Sequence, residues 1–169
     1  QSAIEYGKGM RILNQDLWET LISFILSQNT NIPKIKKCIS KLIEVYGKFP
    51  SYQDILNEPE KVTYIGAGYR DNYLISAAFR YEDLQNRINF KHLSYFEFIS
   101  ILKNIHGVGD KIANCVALFS NHYFEACPID VWMQRIINEE YNGIKPKWMI
   151  SNYAGYLQQL AFYYKRNKL

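Results

Sequence analysis

The sequence is poor in cysteine and has no long apolar run, and each absence excludes a class of protein. There are three cysteines, Cys38, Cys115 and Cys127, and no two of them form a C-x-x-C pair. This pattern excludes a disulfide scaffold and a cysteine-ligated zinc site, and it indicates reduced thiols in an intracellular protein. The longest apolar run is the short segment LISFIL at 21–26, so the sequence predicts neither a membrane span nor a secretory leader.

Histidine and net charge are also scarce. His92, His106 and His122 share no metal-ligand spacing, so we predict no metal site. The net charge of +4 permits a polyanionic partner without requiring one. Aromatic residues, in contrast, make up 15% of the chain, and they serve either packing or stacking on nucleobases; we expect packing for most of them.

Apolar residues at helical spacing recur along most of the chain. One stripe covers 17–25 and stops at the polar segment SQNTN, and a second opens at Ile32-Pro33, where proline is tolerated in a first turn. No alternating strand pattern competes with these stripes, so the sequence predicts an all-α fold. We expect residues 1–14 to be an irregular lead-in and residues 15–169 to form one helical domain.

Capping signals predict where the later helices begin. Ser94 followed by Glu97 is a capping box, which starts a helix that runs towards the next glycine turn. Asp110 and Asp130 each precede an apolar periodic segment and are predicted N-caps. A last helix is expected from about Lys147 to near the C-terminus.

The segment NIHGVGDKIANC at 104–115 carries the strongest local signal. Its glycines, Gly107 and Gly109, predict a turn between two helices that permits positive φ and leaves backbone amides uncovered. Such amides at a helix N-terminus bind phosphate oxygens, so we expect a helix-hairpin-helix at about 101–119 that grips a nucleic acid backbone. A dinucleotide-binding fold is excluded because no strand precedes the glycines.

Lys111 and Asp130 are the candidate catalytic side chains. Lys111 stands in the first turn after the glycines, where the helix dipole and burial under DNA disfavour the ammonium form and a nearby anion favours it. A neutral amine there is a nucleophile, whereas a charged one only pairs with phosphate. Asp130 stands at another helix start, where a carboxylate is either an ordinary N-cap or a fixed negative charge.

Several segments together resemble a known family. GVGDKIANC and CPIDVWM resemble the helix-hairpin-helix DNA glycosylases, which carry a Gly/Pro-rich loop and a catalytic aspartate. QDLWETLISFILSQNTNIPKI, GAGYRDNYL and YAGYLQQLAF are similar, in the same order, to segments of the 8-oxoguanine DNA glycosylases. The resemblance covers roughly Gln15 to Phe162. It implies two packed helical subdomains with a cleft between them.

The resemblance assigns the reaction and the base pocket to particular residues. Lys111 matches the nucleophile that attacks C1′ of a flipped nucleoside, and Asp130 matches the aspartate that stabilises the cationic sugar. Cys115 and Phe162 match the side chains on either side of the extruded base. Gln158 matches the amide that reads the Watson–Crick edge of that base.

The resemblance also assigns contacts with the rest of the DNA. Asn29 matches the residue that fills the gap left by the base, and Tyr69 matches the wedge beside it. Lys34 and Arg70 stand where the family uses two arginines to recognise the orphaned cytosine. Because lysine lacks the bidentate fork of arginine, we predict a weaker preference for cytosine opposite the lesion.

Three positions point to differences or adaptations in the substrate pocket. Trp132 stands where the family typically has a phosphate-contacting histidine, and Lys165 replaces a late aspartate of the base pocket, so we expect the pocket to differ. Gly155 removes a side chain on the path by which a base could enter. We expect the family's N-terminal β domain to be missing. No iron–sulfur signature is present, so no cofactor is expected beyond a monovalent or divalent cation bridging the hairpin and a DNA phosphate.

The sequence therefore predicts a bifunctional DNA glycosylase and abasic-site lyase that excises 8-oxoguanine through a lysine Schiff base. A glycosylase for another damaged purine, or a non-catalytic helix-hairpin-helix module that only binds DNA, are the alternatives. The expected partner is double-stranded DNA with a damaged base. We expect a monomer that acts inside the cell, on DNA and not at a membrane.

Overall fold

The structure, a computed structural model, describes residues 2–167, with Lys91 described through its backbone only. The α-helices of this part of the chain are α1 (Ser2–Tyr6), α2 (Leu17–Leu26), α3 (Ile32–Tyr46), α4 (Tyr52–Asn57), α5 (Arg70–Arg87), α6 (Tyr95–Lys103), α7 (Asp110–Asn121), α8 (Val131–Tyr141) and α9 (Ala154–Asn167). Short 3₁₀ helices cover Pro59–Ile65, Phe90–His92 and Lys147–Ile150. Residues 2–167 contain no strand, so the predicted all-α fold is confirmed.

Two predicted helix starts are confirmed in detail. The side chain of Asn31 caps α3 by accepting the Lys34 amide at 3.0 Å, with Pro33 in the first turn. At α6 the predicted capping box is complete, because the backbone amide of Ser94 donates to the Glu97 carboxylate at 2.8 Å. Local hydrogen bonding alone sets both starts.

Three boundary predictions are wrong. The supposedly irregular lead-in contains α1, which packs against α9. The last helix does not run unbroken from Lys147, since the hydroxyl of Ser151 donates to the carbonyl of Trp148 at 2.8 Å and the extended backbone of Ser151 separates the 3₁₀ helix from α9. Asp110 is the first residue of α7 and Gly109 is its N-cap. Residues 1, 168 and 169, at the ends of the predicted ranges, lie outside the described residues.

Two hydrophobic cores divide the helices into the predicted subdomains. The larger core is built mainly from α2 to α7, with Leu21, Leu74 and Phe98 completely buried in it. The smaller core lies between α8, the last 3₁₀ helix and α9, and it contains Met133 and Met149. Burial of this apolar surface supplies the main stabilisation of both parts. None of the helices in 2–167 has the length and hydropathy that a membrane crossing requires.

Candidate active site

The turn between α6 and α7 is held by buried side chains on both sides. Ile105 and Val108 are buried, and the amide of Val108 donates to the carbonyl of Ile105 at 3.0 Å. Gly107 has φ 86°, and a Cβ there would come within 2.4 Å of the Tyr73 ring, so only glycine fits. Gly109 has φ −95° and open space around it. The prediction of positive φ is therefore right for Gly107 and wrong for Gly109.

The N-terminus of α7 has no side-chain cap. Its N-cap Gly109 offers no side chain to accept the first amides of the helix. Lys103 on α6 instead forms an ion pair with the carboxylate of Asp110 at 2.5 Å, which ties the two hairpin helices together on their exposed side. The uncapped amides of α7 can donate hydrogen bonds to an anion from outside the protein.

Lys111 lines a cleft of about 1040 Å³ between the two subdomains. Its Nζ lies 5.3 Å from the centroid of the Phe24 ring, which in turn stacks on Phe119 at 5.8 Å. The quadrupole of an aromatic ring attracts a cation over its face, so this contact with Phe24 orients the Lys111 side chain in the cleft. The sequence pattern had placed Phe24 only in the apolar stripe of α2.

Asp130 lines the same cleft from the start of α8. Its Oδ1 accepts the amide of Met133 at 2.8 Å, so the predicted N-cap is confirmed. Burial raises the pKa of the Cys115 thiol to about 12, the positive charge of Lys111 lowers that pKa and the negative charge of Asp130 raises it. The three groups therefore lie within electrostatic reach of one another, and the thiol stays protonated at neutral pH.

The three residues predicted to hold the base differ in exposure. Phe162 lines the cleft and carries the guanidinium of Arg166 5.8 Å from its ring centroid. Cys115 and Gln158 are only 4% and 2% exposed. The side-chain oxygen Oε1 of Gln158 accepts a hydrogen bond from the side-chain amide of Gln159 at 2.6 Å. A base would meet Phe162 first and reach the other two only after local opening.

The position of Gly155 corrects its predicted role. A Cβ on Gly155 would lie 2.3 Å from the carbonyl oxygen of Ala126 and 2.6 Å from Leu118. Its amide donates to the carbonyl of Phe124 at 2.7 Å. Polypeptide fills the space beside this glycine, so the missing side chain allows α9 to pack closely against the loop before α8 and does not admit a base.

Asn29 and Tyr69 contact each other at the rim of the cleft. Asn29 adopts a left-handed conformation with φ 45°, which asparagine tolerates better than most residues. Its side-chain amide donates to the Tyr69 hydroxyl at 3.2 Å. Tyr69 is 47% exposed, so its ring is available to a ligand.

Arg70 is committed to the protein and not to open solvent. It is 8% exposed, and its Nε and Nη1 donate to the carbonyls of Gln28 and Ala67 at 2.8 and 2.9 Å. Its Nη2 donates to the carbonyls of Gln28 and, at 3.3 Å, of Asn29. The guanidinium therefore fixes the turn that carries Asn29. The amine of Lys34 lies next to Gly66, since a Cβ placed on Gly66 would be 3.7 Å from the Lys34 Nζ.

Known proteins resemble this chain in sequence and in fold. The N-glycosylase/DNA lyase of Saccharomyces cerevisiae is 31% identical over 159 residues, which cover 79% of this chain and 42% of that protein. The 8-oxoguanine glycosylase/lyase of Clostridium acetobutylicum, solved with double-stranded DNA containing cytosine opposite 8-oxoguanine, superposes with a TM-score of 0.86 at 30% identity. The chain is thus similar in sequence to N-glycosylase/DNA lyases and in fold to 8-oxoguanine glycosylases. Models of known protein families gave no match.

The chain spans only part of these relatives. The superposition covers 99% of this chain and 65% of the clostridial enzyme, so the relatives are longer than the chain described here. DNA-3-methyladenine glycosidase of Bacillus halodurans superposes with a TM-score of 0.76 at 19% identity, which is a likeness of fold alone. The helical architecture is therefore shared more widely than the family.

The two departures from the family pattern lie in different places. Trp132 lines the cleft, with the guanidinium of Arg135 5.2 Å from its ring centroid. Lys165 pairs with the carboxylates of Glu139 and Glu140 at 2.9 and 3.0 Å and is 18% exposed. It thus joins α9 to α8, so only Trp132 alters the lining of the cleft.

Several residues of the cleft escaped the sequence analysis. Besides Phe24, the lining includes Gln28, Thr30, Gln134 and Arg166. Each lies at or near the end of a predicted helix, but which helix ends face one another depends on packing between distant segments. The polar cluster SQNTN was the one signal that could have identified Gln28 and Thr30. Residues 2–167 hold no group of three His, Cys, Asp or Glu side chains suited to a metal ion.

Proposed function

We propose that this chain is a bifunctional DNA glycosylase and abasic-site lyase that flips out and excises 8-oxoguanine. One observation carries the proposal: Lys111 and Asp130, on different helices, line a single cleft at two helix N-termini. A nucleophilic amine and a fixed carboxylate are the two groups that this reaction needs. The names of the yeast and clostridial relatives support the same activity.

The amine of Lys111 is the group that becomes bonded to the sugar. As the lysine moves away from the Phe24 ring, Nζ gives one proton to water, and its free electron pair attacks C1′. The C1′–N9 bond breaks, and the base leaves with that bonding pair and takes a proton from water. Nζ then gives a second proton to water, its electron pair forms the C1′=N bond, and O4′ leaves C1′ with the C1′–O4′ bonding pair and is protonated by water, which gives the Schiff base as an iminium.

The lyase step follows from the same intermediate. The iminium withdraws electrons from C2′, which loses a proton, and the 3′-phosphate leaves with its bonding pair. Water then hydrolyses the C=N bond and regenerates Lys111. These steps use only protein side chains and water, and a cation bridging the hairpin and a DNA phosphate stays a prediction.

Asp130 stabilises the positive charge that develops on the sugar. Its Oδ1 is fixed by the Met133 amide, so the carboxylate is already oriented before substrate arrives. A preorganised charge of this kind costs no reorganisation during the reaction and acts most strongly on the transition state. The carboxylate therefore raises the rate of base loss more than it raises affinity for DNA.

The rim of the cleft supplies the contacts that flipping requires. Removing a base from the stack costs a few kcal/mol, and side chains that occupy the gap recover part of it. Asn29 and Tyr69, already joined by a hydrogen bond, are the side chains for that place. The uncapped amides of α7 then bind a backbone phosphate. The protein acts on double-stranded DNA, and we expect it to do so as a monomer.

Borohydride trapping tests this function. Incubated with a duplex containing 8-oxoguanine opposite cytosine and reduced, the protein is expected to form a covalent adduct with the DNA. Lys111→Gln should abolish the adduct. Lys61→Gln, which removes a lysine paired with Glu58 away from the cleft, is the matched control and should leave it intact.

The same trapping assay on duplexes that carry other lesions separates the alternatives. An adduct with another damaged purine and none with 8-oxoguanine would change the assigned substrate to that purine. The changed lining at Trp132 makes this the second candidate function. No adduct with any lesion or with an abasic site would leave only a DNA-binding module. Each outcome excludes at least one of the three functions that the sequence leaves open.

A further inference from the structure

The side chain of Asn114 connects three elements around the proposed catalytic lysine. Asn114 lies on α7, one turn after Lys111. Its Oδ1 accepts the hydroxyl of Tyr95 at 2.9 Å and the backbone amide of Cys127 at 3.1 Å. Its Nδ2 donates to the carbonyl of Asp110 at 2.8 Å. The amide group thus uses its acceptor twice and its donor once.

The three partners of Asn114 belong to different parts of the site. Tyr95 opens α6, the first helix of the hairpin, and Asp110 opens α7, the second. Cys127 belongs to the loop that ends at Asp130. One side chain therefore joins both hairpin helices to the segment that presents the catalytic carboxylate.

The loop before α8 has other attachments, but they lie further from Asp130. The carbonyl of Phe124 accepts the amide of Gly155 at 2.7 Å, and the hydroxyl of Tyr123 donates to the carbonyl of Leu93 at 2.5 Å. The bond from Cys127 to Asn114 is nearer to Asp130 along the chain than either of these. It is also the one of the three that reaches the helix of Lys111.

We propose that Asn114 is a positioning residue that sets the separation of Lys111 and Asp130. The inference rests on the proposed function, and it assigns no contact with the substrate to Asn114. Attack at C1′ requires the amine and the carboxylate in a fixed relation to the sugar. A displacement of about 1 Å in such an arrangement can lower a rate about a hundredfold. Loosening the loop should therefore slow base loss while leaving the DNA-binding surface in place.

Asn114→Ala in the full chain is the direct test. Under single-turnover conditions the rate constant for excision of 8-oxoguanine is expected to fall about 10- to 100-fold. The Kd for the lesion duplex is expected to change less than about threefold, because Asn114 does not line the cleft. Schiff-base trapping on a preformed abasic site, which bypasses base loss, should fall less than excision.

Asn167→Ala is the matched control. The side chain of Asn167 donates to the carbonyl of Tyr163 at 2.8 Å, which is the same bond, one helical turn back, that Asn114 makes to Asp110. This variant should keep the wild-type excision rate. Asn114→Asp keeps the two acceptor contacts, to the Tyr95 hydroxyl and the Cys127 amide, and should recover most of the rate lost in Asn114→Ala.

Active-site titration separates positioning from simple loss of folding. A purely structural role would reduce the fraction of molecules that give a product burst and leave the rate constant of the active fraction unchanged, and that result would overturn the inference. If Asn114→Ala does not fold, Asn114→Ser replaces it, because a serine hydroxyl can still bond the Asp110 carbonyl but does not reach Cys127. The same fall in rate constant is expected. Wild-type protein without activity on any lesion would overturn the proposed function as well, whereas active wild type with an unchanged Asn114 variant would overturn this inference alone.

Discussion

Two helix N-termini face the same cleft, and they are built in opposite ways. The start of α7 has Gly109 as its N-cap and no side chain to accept its amides. The start of α8 is closed by Asp130, whose carboxylate accepts the Met133 amide at 2.8 Å. Both ends carry the same positive dipole, but one has an anion built in and the other does not.

The difference matches the two charges of the proposed reaction. A DNA backbone is a chain of anions, and the open end of α7 offers them uncovered amides. The sugar becomes cationic as the base leaves, and the closed end of α8 offers it a carboxylate. In the proposed reaction one end serves DNA binding and the other serves the transition state, so each function can be tested by changing one helix end.

The largest effect is expected from neutralising the closed end. Asparagine caps helices about as well as aspartate, so Asp130→Asn should keep the fold of α8 and lose only the charge. We expect single-turnover excision to slow about a hundredfold or more, with lesion-duplex affinity within a few-fold of wild type. Rate and binding are measured on the same preparation. A parallel fall in both would make Asp130 a structural cap and nothing more.

Closing the open end should trade DNA affinity for stability. The backbone of Gly109 is extended and nothing lies near its missing side chain, so Gly109→Asp is sterically allowed. The new cap should raise the free energy of unfolding by roughly a few tenths of a kcal/mol. Its charge should weaken duplex binding about tenfold at low salt, since it displaces and repels a phosphate.

Denaturant unfolding and a duplex titration at fixed salt check the two halves of that prediction. Gly109→Ala is the control for the added side chain, because it supplies neither an acceptor nor a charge. Unchanged affinity in the aspartate variant would mean that DNA does not use this helix end.

A third helix start tests the predicted contact with the base opposite the lesion. The α3 helix is capped by Asn31, and Lys34 stands in its first turn, while Arg70 at the start of α5 is already bonded to backbone carbonyls. Lys34→Arg should supply the missing fork and raise the preference for cytosine over other opposite bases about three- to tenfold. Excision rates on the four pairings give the ratio. Lys37→Arg, on the exposed part of α3, should leave it unchanged.

The smallest effect is expected at the start of α5, which also lacks a side-chain cap. Burial raises the pKa of Asp71 in its first turn, although the Ala67 amide and the charges of Arg70 and Lys34 oppose this. A carboxyl whose pKa is raised by folding destabilises the protein once the pH exceeds its unfolded pKa. Asp71→Asn should therefore raise Tm by about 1–2 °C at pH 7, and this gain should disappear as the pH is lowered below both pKa values.

Asp54 is expected to change Tm in the opposite direction when it is replaced by asparagine. A hydrogen bond from Lys48 and the hydrogen bonds from Ser51 lower the pKa of Asp54. Its charge stabilises the fold above the unfolded pKa, and that contribution is lost as the pH falls through the lowered pKa. Asp54→Asn should therefore lower Tm at pH 7 and converge with wild type in acid. Two variants that shift Tm in the same direction at pH 7 would contradict the assignment of the carboxyl whose predicted sign is not observed.

The correct structural predictions came from interactions that span only a few residues. The Ser94–Glu97 box and the cap at Asp130 each involve groups three residues apart, and the start of α3 at Ile32-Pro33 was predicted from its first-turn proline, so the local sequence is sufficient to specify them. Tertiary packing can shift such boundaries but seldom removes the signal. The hairpin was equally visible, because its glycines interrupt two apolar stripes.

The wrong or incomplete predictions concern residues whose partners are distant. Arg70 contacts the carbonyl of Gln28 across 42 positions of sequence. Lys165 finds its carboxylates on α8, and Gly155 faces the carbonyl of Ala126. Arg70 and Lys165 each had a plausible role at their position in the sequence, but in the fold their side chains pair with acceptors on distant segments. Gly155 likewise packs against a distant segment. The last helix was misjudged for a local reason, since the hydroxyl of Ser151 competes for the backbone.

The sequence by itself determined the helical class, most helix starts and the hairpin, and it supplied the lysine and aspartate as candidates, because periodicity, caps and motifs depend on neighbouring residues. Only the tertiary structure decided that Lys111 lies over Phe24, that Arg70 holds the Asn29 turn and that Asn114 joins the hairpin to the Asp130 loop. These pairings depend on how helices pack, and packing is fixed by the summed burial of many side chains and not by any short segment.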